Sequence, residues 1–175
     1  MLQNEINQAI RTIANFPSPG IQFKDITPIL RDVNLCRKIT AAIADEFRDQ
    51  HIDTVAGIES RGFLFGMLIA QELNCGFSII RKKGKLPHKT VQMEYTLEYG
   101  SAIIEMHEDE ITPNQNVMIH DDLLATGGTA DAAAKLIKKV GGNVAGFSFV
   151  IGLDFLGGQN RLEQHSKKIV TLVNY

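Results

Sequence analysis

Val117-Met-Ile-His-Asp-Asp-Leu-Leu-Ala-Thr-Gly-Gly-Thr129 places a strand, two acids and a helix start in immediate succession. Val117–His120 is apolar enough for a buried strand, and it delivers Asp121 and Asp122 at its C-terminal end. Ala125-Thr-Gly-Gly-Thr129 then opens a helix over 129–140, whose inner face is Ala130, Ala133, Ala134, Ile137 and Val140. Small residues let a ligand come close to the backbone. Successive N–H groups, two threonine hydroxyls and the positive end of the helix dipole can cradle a phosphate. The loop is not a Walker A motif, because no Gly-Lys-Ser/Thr follows the glycines. A loop made only for phosphate gains nothing from two neighbouring carboxylates. They suit a ligand that also offers a ribose diol, or a metal carried on further phosphates. Thr126-Gly-Gly-Thr129 alone would be an ordinary turn beside solvated acids; the full order of strand, acids, loop and helix favours a ligand site.

Outward from this segment the pattern alternates between strands and helices. Leu35, Ile39, Ile43 and Phe47 recur every four residues and predict an amphipathic helix across about 33–50. A strand is expected at Thr54–Ile58, a helical segment at Gly62–Leu73 and a strand at Phe77–Ile80. The stretch 81–90 contains Gly84 and Pro87 and reads as a loop. Met93–Glu98 and Ser101–Met106 flank Gly100 as a β-hairpin. Gly141-Gly142 stops the helix that the phosphate loop opens, and Val144–Leu153 and Ile169–Val173 are further strands. Strands alternating with helices imply a parallel sheet flanked by helices, the α/β class. Ligands of such sheets sit beyond the carboxyl ends of the strands.

The 175 residues suffice for one domain with its own core. With 44% hydrophobic residues and a mean hydropathy of −0.04, the composition is that of a globular chain. No apolar run reaches the roughly 18 residues of a membrane helix, and the N-terminal stretch lacks the pattern of a secretory signal. Twenty acids against 18 bases give a net charge of −2, which does not favour a nucleic-acid coat. Arg81, Lys82, Lys83, Lys85 and Lys89 concentrate five of those bases in nine positions, with His88 among them. Cys36 and Cys75 lack metal-ligand spacing and are expected as buried free thiols of a cytoplasmic protein.

The segment 117–129 resembles the signature with which type I phosphoribosyltransferases bind phosphoribosyl pyrophosphate (PRPP). Four further blocks resemble the adenine-specific branch of that family: Phe16-Pro-Ser-Pro-Gly-Ile-Gln-Phe-Lys-Asp-Ile-Thr-Pro28, Gly57-Ile-Glu-Ser-Arg-Gly-Phe63, Arg81-Lys-Lys-Gly-Lys-Leu-Pro87 and Leu97-Glu-Tyr-Gly100. Together, in this order, the five blocks span nearly the whole chain. The resemblance implies one domain over 1–175, with an N-terminal hood over about 1–32 and a flexible lid and hairpin over about 81–106.

It also implies roles for particular residues. Asp121 and Asp122 would hold the ribose diol, near a Mg²⁺ ion bound largely through water. Ala125, Thr126, Gly127, Gly128 and Thr129 would hold the 5′-phosphate. Ser60 and Arg61 would meet pyrophosphate at a cis, non-proline turn around Glu59–Ser60. Lys82, Lys85 and His88 would contact pyrophosphate from the lid, where cations stabilise the departing charge. Glu98 is the candidate general base for the N9 proton of adenine, with Tyr99 ordering the lid or stacking nearby. Phe23 would stack on the purine, and Lys24 and Leu123 would complete its pocket. Lys24 stands where related chains carry arginine. His120, where an aliphatic residue is more usual, is expected as a hydrogen-bonded core histidine.

The implied activity is transfer of phosphoribose from PRPP to adenine, giving AMP and pyrophosphate, by a cytoplasmic homodimer in purine salvage. A sister enzyme for another base such as xanthine is one alternative, which the hood and Leu97-Glu-Tyr-Gly100 disfavour. A non-catalytic PRPP-sensing regulator is another, disfavoured because no basic winged domain is present. A flavodoxin-like phosphoacceptor needs its paired acids in a different chain order.

Overall fold

The computed structural model describes residues 1–96 and 100–175. A short helix α1 (Leu2–Ala9) leads into β1 (Arg11–Ala14) and β2 (Gln22–Asp25), an antiparallel pair that forms a separate two-stranded sheet. Helix α2 (Val33–Phe47) starts where the Asp32 carboxylate accepts the N–H groups of Asn34 and Leu35, both at 3.0 Å. Its buried stripe is the expected one of Leu35, Ile39, Ile43 and Phe47. The helix ends three residues earlier than the periodicity suggests, because Arg48, Asp49 and Gln50 lack a core-facing apolar side chain.

The main sheet has the order β5–β6–β4–β3–β7–β8–β9. β3 (Thr54–Ile58) lies at its centre with all five residues buried, and α3 (Gly62–Leu73) follows it. Asn74 ends α3 in the left-handed region, φ 54°. β4 is Gly76–Lys82, β5 Thr90–Thr96 and β6 Ser101–His107. β7 is Asn116–Leu124, followed by α4 (Gly128–Lys139), β8 (Asn143–Gly152), a short helix α5 (Gly158–Leu162) and β9 (Ile169–Asn174). β3, β4, β7, β8 and β9 run parallel; β6 is antiparallel to both β4 and β5. One core packs α4 against the sheet around Ile119, Ile137 and Phe147. The other packs α2 and α3 on the opposite face around Ile39, Phe65 and Met118. The architecture is the expected parallel sheet flanked by helices, with an antiparallel hairpin at one edge.

Three expectations need correction. Arg81 and Lys82 are not loop residues: they complete β4, pairing with Glu105 and Ile104 of β6, and the connection is reduced to 83–89. The hairpin is therefore a continuation of the main sheet. Asp121 and Asp122 are not beyond the end of β7 but inside it, because β8 keeps pairing as far as Leu124 with Gly152. Cys36 and Cys75 are free but only half-buried; Cys36 Sγ donates to the carbonyl of Ile29 at 3.3 Å. His120 is fully buried, its Nδ1 2.8 Å from Ser148 Oγ, and burial pushes its pKa down to about 3, so the ring is neutral.

Candidate active site

Strand alternation sends the two acids of β7 to opposite faces. Asp121 shares the face of Ile119 and lines cavities beneath the start of α4. Asp122 lies on the α3 face, where Arg61 Nε stands 3.2 Å from its Oδ2. The turn that carries Arg61 can come this close because residue 62 is glycine: a Cβ there would lie 2.7 Å from the His120 carbonyl oxygen. Asp122 is 2% exposed, and its Oδ2 has no hydrogen-bond partner. Asp121 Oδ1 accepts the Asp122 N–H at 2.9 Å. Burial, then the charge of Asp122, pushes the Asp121 carboxyl well above the usual carboxylate range. Burial also raises Asp122, against the opposing effect of Arg61.

The loop between β7 and α4 encloses a cavity of about 80 Å³ lined by Asp121, Leu123 and every residue from Leu124 to Ala130. Gly127 has φ 75°, and a Cβ on it would stand 2.9 Å from the backbone oxygen of Gly158 at the start of α5. Arg161 of α5 lies beside the same loop: a Cβ on Gly128 would be 3.1 Å from its Nη1. Leu123 is half-buried, and Thr126 is exposed.

A second cavity, about 240 Å³, lies between the ends of β3 and β4 and is lined by Glu59, Arg81, Lys82 and Tyr95 among others. It shares Asp121 and Thr129 with the first. The Thr129 hydroxyl reaches Tyr95 Oη at 3.4 Å. Two groups that sequence reasoning passed over organise this side. Glu59 accepts Arg81 through Nε and Nη2, both at 3.2 Å, and the Lys82 N–H at 2.9 Å. Burial works against its charge, but these donors outweigh it and hold the carboxyl below its ordinary value. Glu105, 2% exposed, accepts the N–H groups of Lys85 and Leu86 at 3.0 and 3.2 Å and so fixes the base of the 83–89 connection. Burial opposes its ionisation too, and the same amides prevail. Neither acid carries a signal in the sequence, because the partners lie 19 to 23 residues away along the chain, too far for spacing to reveal.

The remaining candidates are distributed as follows. The Glu59–Ser60 peptide is cis, and Ser60 is exposed at the turn. Lys82 lines the second cavity, and Lys85 Nζ lies 3.9 Å from Glu59 Oε1. His88 lines neither cavity: its Nε2 is 3.9 Å from Asp109 Oδ2 and its ring stands 5.9 Å from that of His107. Phe23 has the Arg61 guanidinium 5.2 Å from its ring centroid, so the β1–β2 pair meets the acid site there. The Lys24 side chain turns the other way, onto the ring of Tyr175 at 3.8 Å. Glu98 and Tyr99 lie outside the described residues.

The model of the phosphoribosyl transferase domain family matches residues 25–173. An adenine phosphoribosyltransferase of Cytophaga hutchinsonii is 51% identical over 175 residues, covering 100% of this chain and 97% of the relative. One from Myxococcus xanthus is 48% identical over 171 residues, covering 98% and 92%. Among solved structures, the adenine phosphoribosyltransferase of Thermoanaerobacter pseudethanolicus superposes with a TM-score of 0.95 at 43% identity, covering 100% of both chains. The Saccharomyces cerevisiae enzyme, solved with adenine and an imino-altritol bisphosphate, gives 0.91 at 39% identity and 98% coverage of both. With a strand that carries paired acids into a glycine-rich phosphate-sized loop, and with likeness of this extent, the chain belongs to the phosphoribosyl transferase domain family.

Proposed function

We propose that this chain transfers phosphoribose from PRPP to adenine, releasing AMP and pyrophosphate. The observation that carries the reading is the junction at Asp121, where a small loop-walled cavity suited to a phosphate shares part of its wall with a larger one flanked by basic residues. The relatives named as adenine phosphoribosyltransferases, and the adenine bound in the S. cerevisiae structure, supply the base. The working unit is one domain over 1–175, with 1–32 as its hood and 81–106 as its lid and hairpin.

In this reading the N–H groups and hydroxyls of Ala125, Thr126, Gly127, Gly128 and Thr129 bind the 5′-phosphate. Asp121 and Asp122 accept the hydroxyl protons of the ribose diol, which orients the anomeric carbon. Ser60, Arg61, Lys82, Lys85 and His88 bind pyrophosphate and stabilise the charge it gathers as its bond to that carbon breaks. Adenine N9 forms the new bond, and its proton passes to the Glu98 carboxylate. Phe23, Leu123 and the backbone of Lys24 enclose the base. Backbone groups of residues 22–24 distinguish its exocyclic amine from an oxo group, a contrast worth about four to five orders of magnitude in a tight site.

The donor set also fits Mg²⁺. Two adjacent carboxylates carry an orphaned buried oxygen on Asp122, and Arg61 is their one cation within ion-pair distance among the described residues. Those residues hold no group of three or more metal-ligating side chains, which suits an ion that arrives on substrate phosphates and keeps much of its water. Asp121 and Asp122 would hold it, and it would neutralise charge on the pyrophosphate.

A homodimer is part of the proposal: Leu64, Met67 and Leu68 of α3 and Val33 of α2 leave an exposed apolar face. No helix among the described residues is long and apolar enough to cross a membrane; free cysteines suit a cytoplasmic setting. The test is AMP formation from PRPP with adenine, hypoxanthine, guanine and xanthine in parallel. Adenine alone should turn over well; a preference for another base would refute the assignment.

A further inference from the structure

Lys24 neighbours the aromatic residue of the hood, yet its side chain leaves the base side altogether. Its ammonium lies 3.8 Å from the centroid of the Tyr175 ring and donates to Thr12 Oγ1 at 3.1 Å. Tyr175 is itself anchored to the main body. Its N–H donates to the Gly152 carbonyl at 2.9 Å and its carbonyl accepts the Asp154 N–H at 3.0 Å, which ties it to the end of β8. Its hydroxyl donates to Asn7 Oδ1 of α1 at 2.6 Å.

The strand that Lys24 belongs to needs such an anchor. β2 pairs only with β1, in a two-stranded sheet separate from the main one, and an isolated pair of strands is marginal in water. Consecutive residues of a strand point to opposite faces. Phe23 therefore meets Arg61 at 5.2 Å on one side while Lys24 meets Tyr175 on the other. Phe16 packs edge-on to Phe23 at 5.1 Å but belongs to the same hairpin and fixes nothing relative to the sheet. Arg61, which follows the central strand β3, and Tyr175, which follows the edge strand β9, thus hold two successive residues of β2 from both faces.

We propose that Tyr175 is a positioning residue for the base site, acting through Lys24 to fix the β2 backbone at Gln22–Lys24. The inference rests on the reading above that this backbone faces adenine. It explains why a lysine serves here: the side chain works as an ammonium on an aromatic face, not as a ligand to the base.

Steady-state kinetics of the full chain test it, with KM for adenine and KM for PRPP measured on the same samples. Tyr175→Ala should raise the adenine KM about 3–30-fold, the range of one cation–aromatic contact, and leave the PRPP KM within about twofold. Tyr175→Phe keeps the ring and should restore the adenine KM to within about threefold of the parent. Hydrogen exchange should quicken at the Phe23 and Lys24 amides of Tyr175→Ala and stay unchanged in β3 and β7. An unchanged adenine KM in Tyr175→Ala, or an equal rise in both KM values, overturns the inference. Should Tyr175→Ala not fold, Lys24→Met breaks the same contact from the other side, and a parental adenine KM in that variant overturns it equally. Phe23→Ala separates the two levels. No effect of that variant on adenine would refute the base-site reading itself. A raised KM there with none in Tyr175→Ala would refute the role of Tyr175 alone.

Discussion

Replacing Gly127 by alanine loads the phosphate loop at one defined point. Its φ of 75° lies in the left-handed region, where a side chain costs about 1–2 kcal/mol. The added Cβ would also sit 2.9 Å from the Gly158 carbonyl oxygen and 3.2 Å from its Cα, against backbone that cannot rotate away. Overpacking of this kind costs about 1–3 kcal/mol, so the total destabilisation is about 2–5 kcal/mol. For a chain of this size that lowers Tm by about 4–20 °C. The loop relieves the contact by moving off α5, which withdraws at least one N–H from the 5′-phosphate. One charge-assisted hydrogen bond is worth about 1.5–3 kcal/mol, so ribose 5-phosphate should bind about 10–150-fold more weakly. Calorimetric titration of ribose 5-phosphate alongside thermal unfolding measures both effects. Gly158→Ala presses the same loop from α5, where the added Cβ would clash with the Ala125 carbonyl oxygen and stand 3.0 Å from the Gly127 nitrogen, and it should weaken the same ligand. A lowered Tm with parental affinity in Gly127→Ala would place the phosphate elsewhere; an unchanged Tm would refute the packing argument as well.

Asp121→Asn should make the free protein more stable by about 0.5–2 kcal/mol at neutral pH while weakening PRPP binding, the usual conflict at a charged site. The folded Asp121 carboxyl is raised above its unfolded value, so the parent loses stability as pH rises from the ordinary carboxylate range and through the folded pKa; the advantage of Asn should vanish in acid, and a gap independent of pH in thermal unfolding would contradict this. Chelation by EDTA should stop turnover and Mg²⁺ should restore it; full activity in the chelator would remove the metal from the scheme. Lys85→Ala should reduce the forward rate more than AMP binding, since AMP carries no pyrophosphate, and equal losses in rate assay and calorimetry would mean a structural effect. Glu98→Gln should lower kcat about 10²–10⁴-fold with little change in the PRPP KM; a folded variant with parental kcat would leave positioning and electrostatics alone to carry the reaction.

What could be read without coordinates was local. Thr54–Ile58 and Gly62–Leu73 are found where the apolar runs put them, because a buried central strand and the helix packed on it both leave uninterrupted hydrophobic sequence. The stripe Leu35, Ile39, Ile43, Phe47 and the inner face of α4 are equally local signals. Charge at Asp121 and Asp122 points to an end of β7 after His120; pairing with β8 keeps both acids in the ladder regardless. Illegible features are long-range ones. Nothing near Gly127 announces Gly158, nothing near Lys85 announces Glu105, and Lys24 gives no sign that its ammonium lies on Tyr175. Each contact joins segments brought together only by the sheet order.

Why a stable fold should keep two adjacent acids inside a strand is answered by that same sheet. Burial raises both carboxyls, and with Arg61 the one cation in ion-pair reach among the described residues, the pair weakens the free protein. A sequence selected for stability alone would replace at least one of them. Alternation in β7 gives the pair its geometry: Asp121 opens onto the loop of α4, and Asp122 onto Arg61, which also covers Phe23. One step along the chain therefore becomes one passage across the sheet, on the proposed reading from the phosphate side to the base side. A ribose joins those same two sides in a nucleotide, and its hydroxyls are donors that two carboxylates can accept without a further charge. On the proposed reading, the unfavourable electrostatics of the free protein and its fit to a diol thus have one source, the placement of two acceptor-only groups where the strand crosses between the two faces.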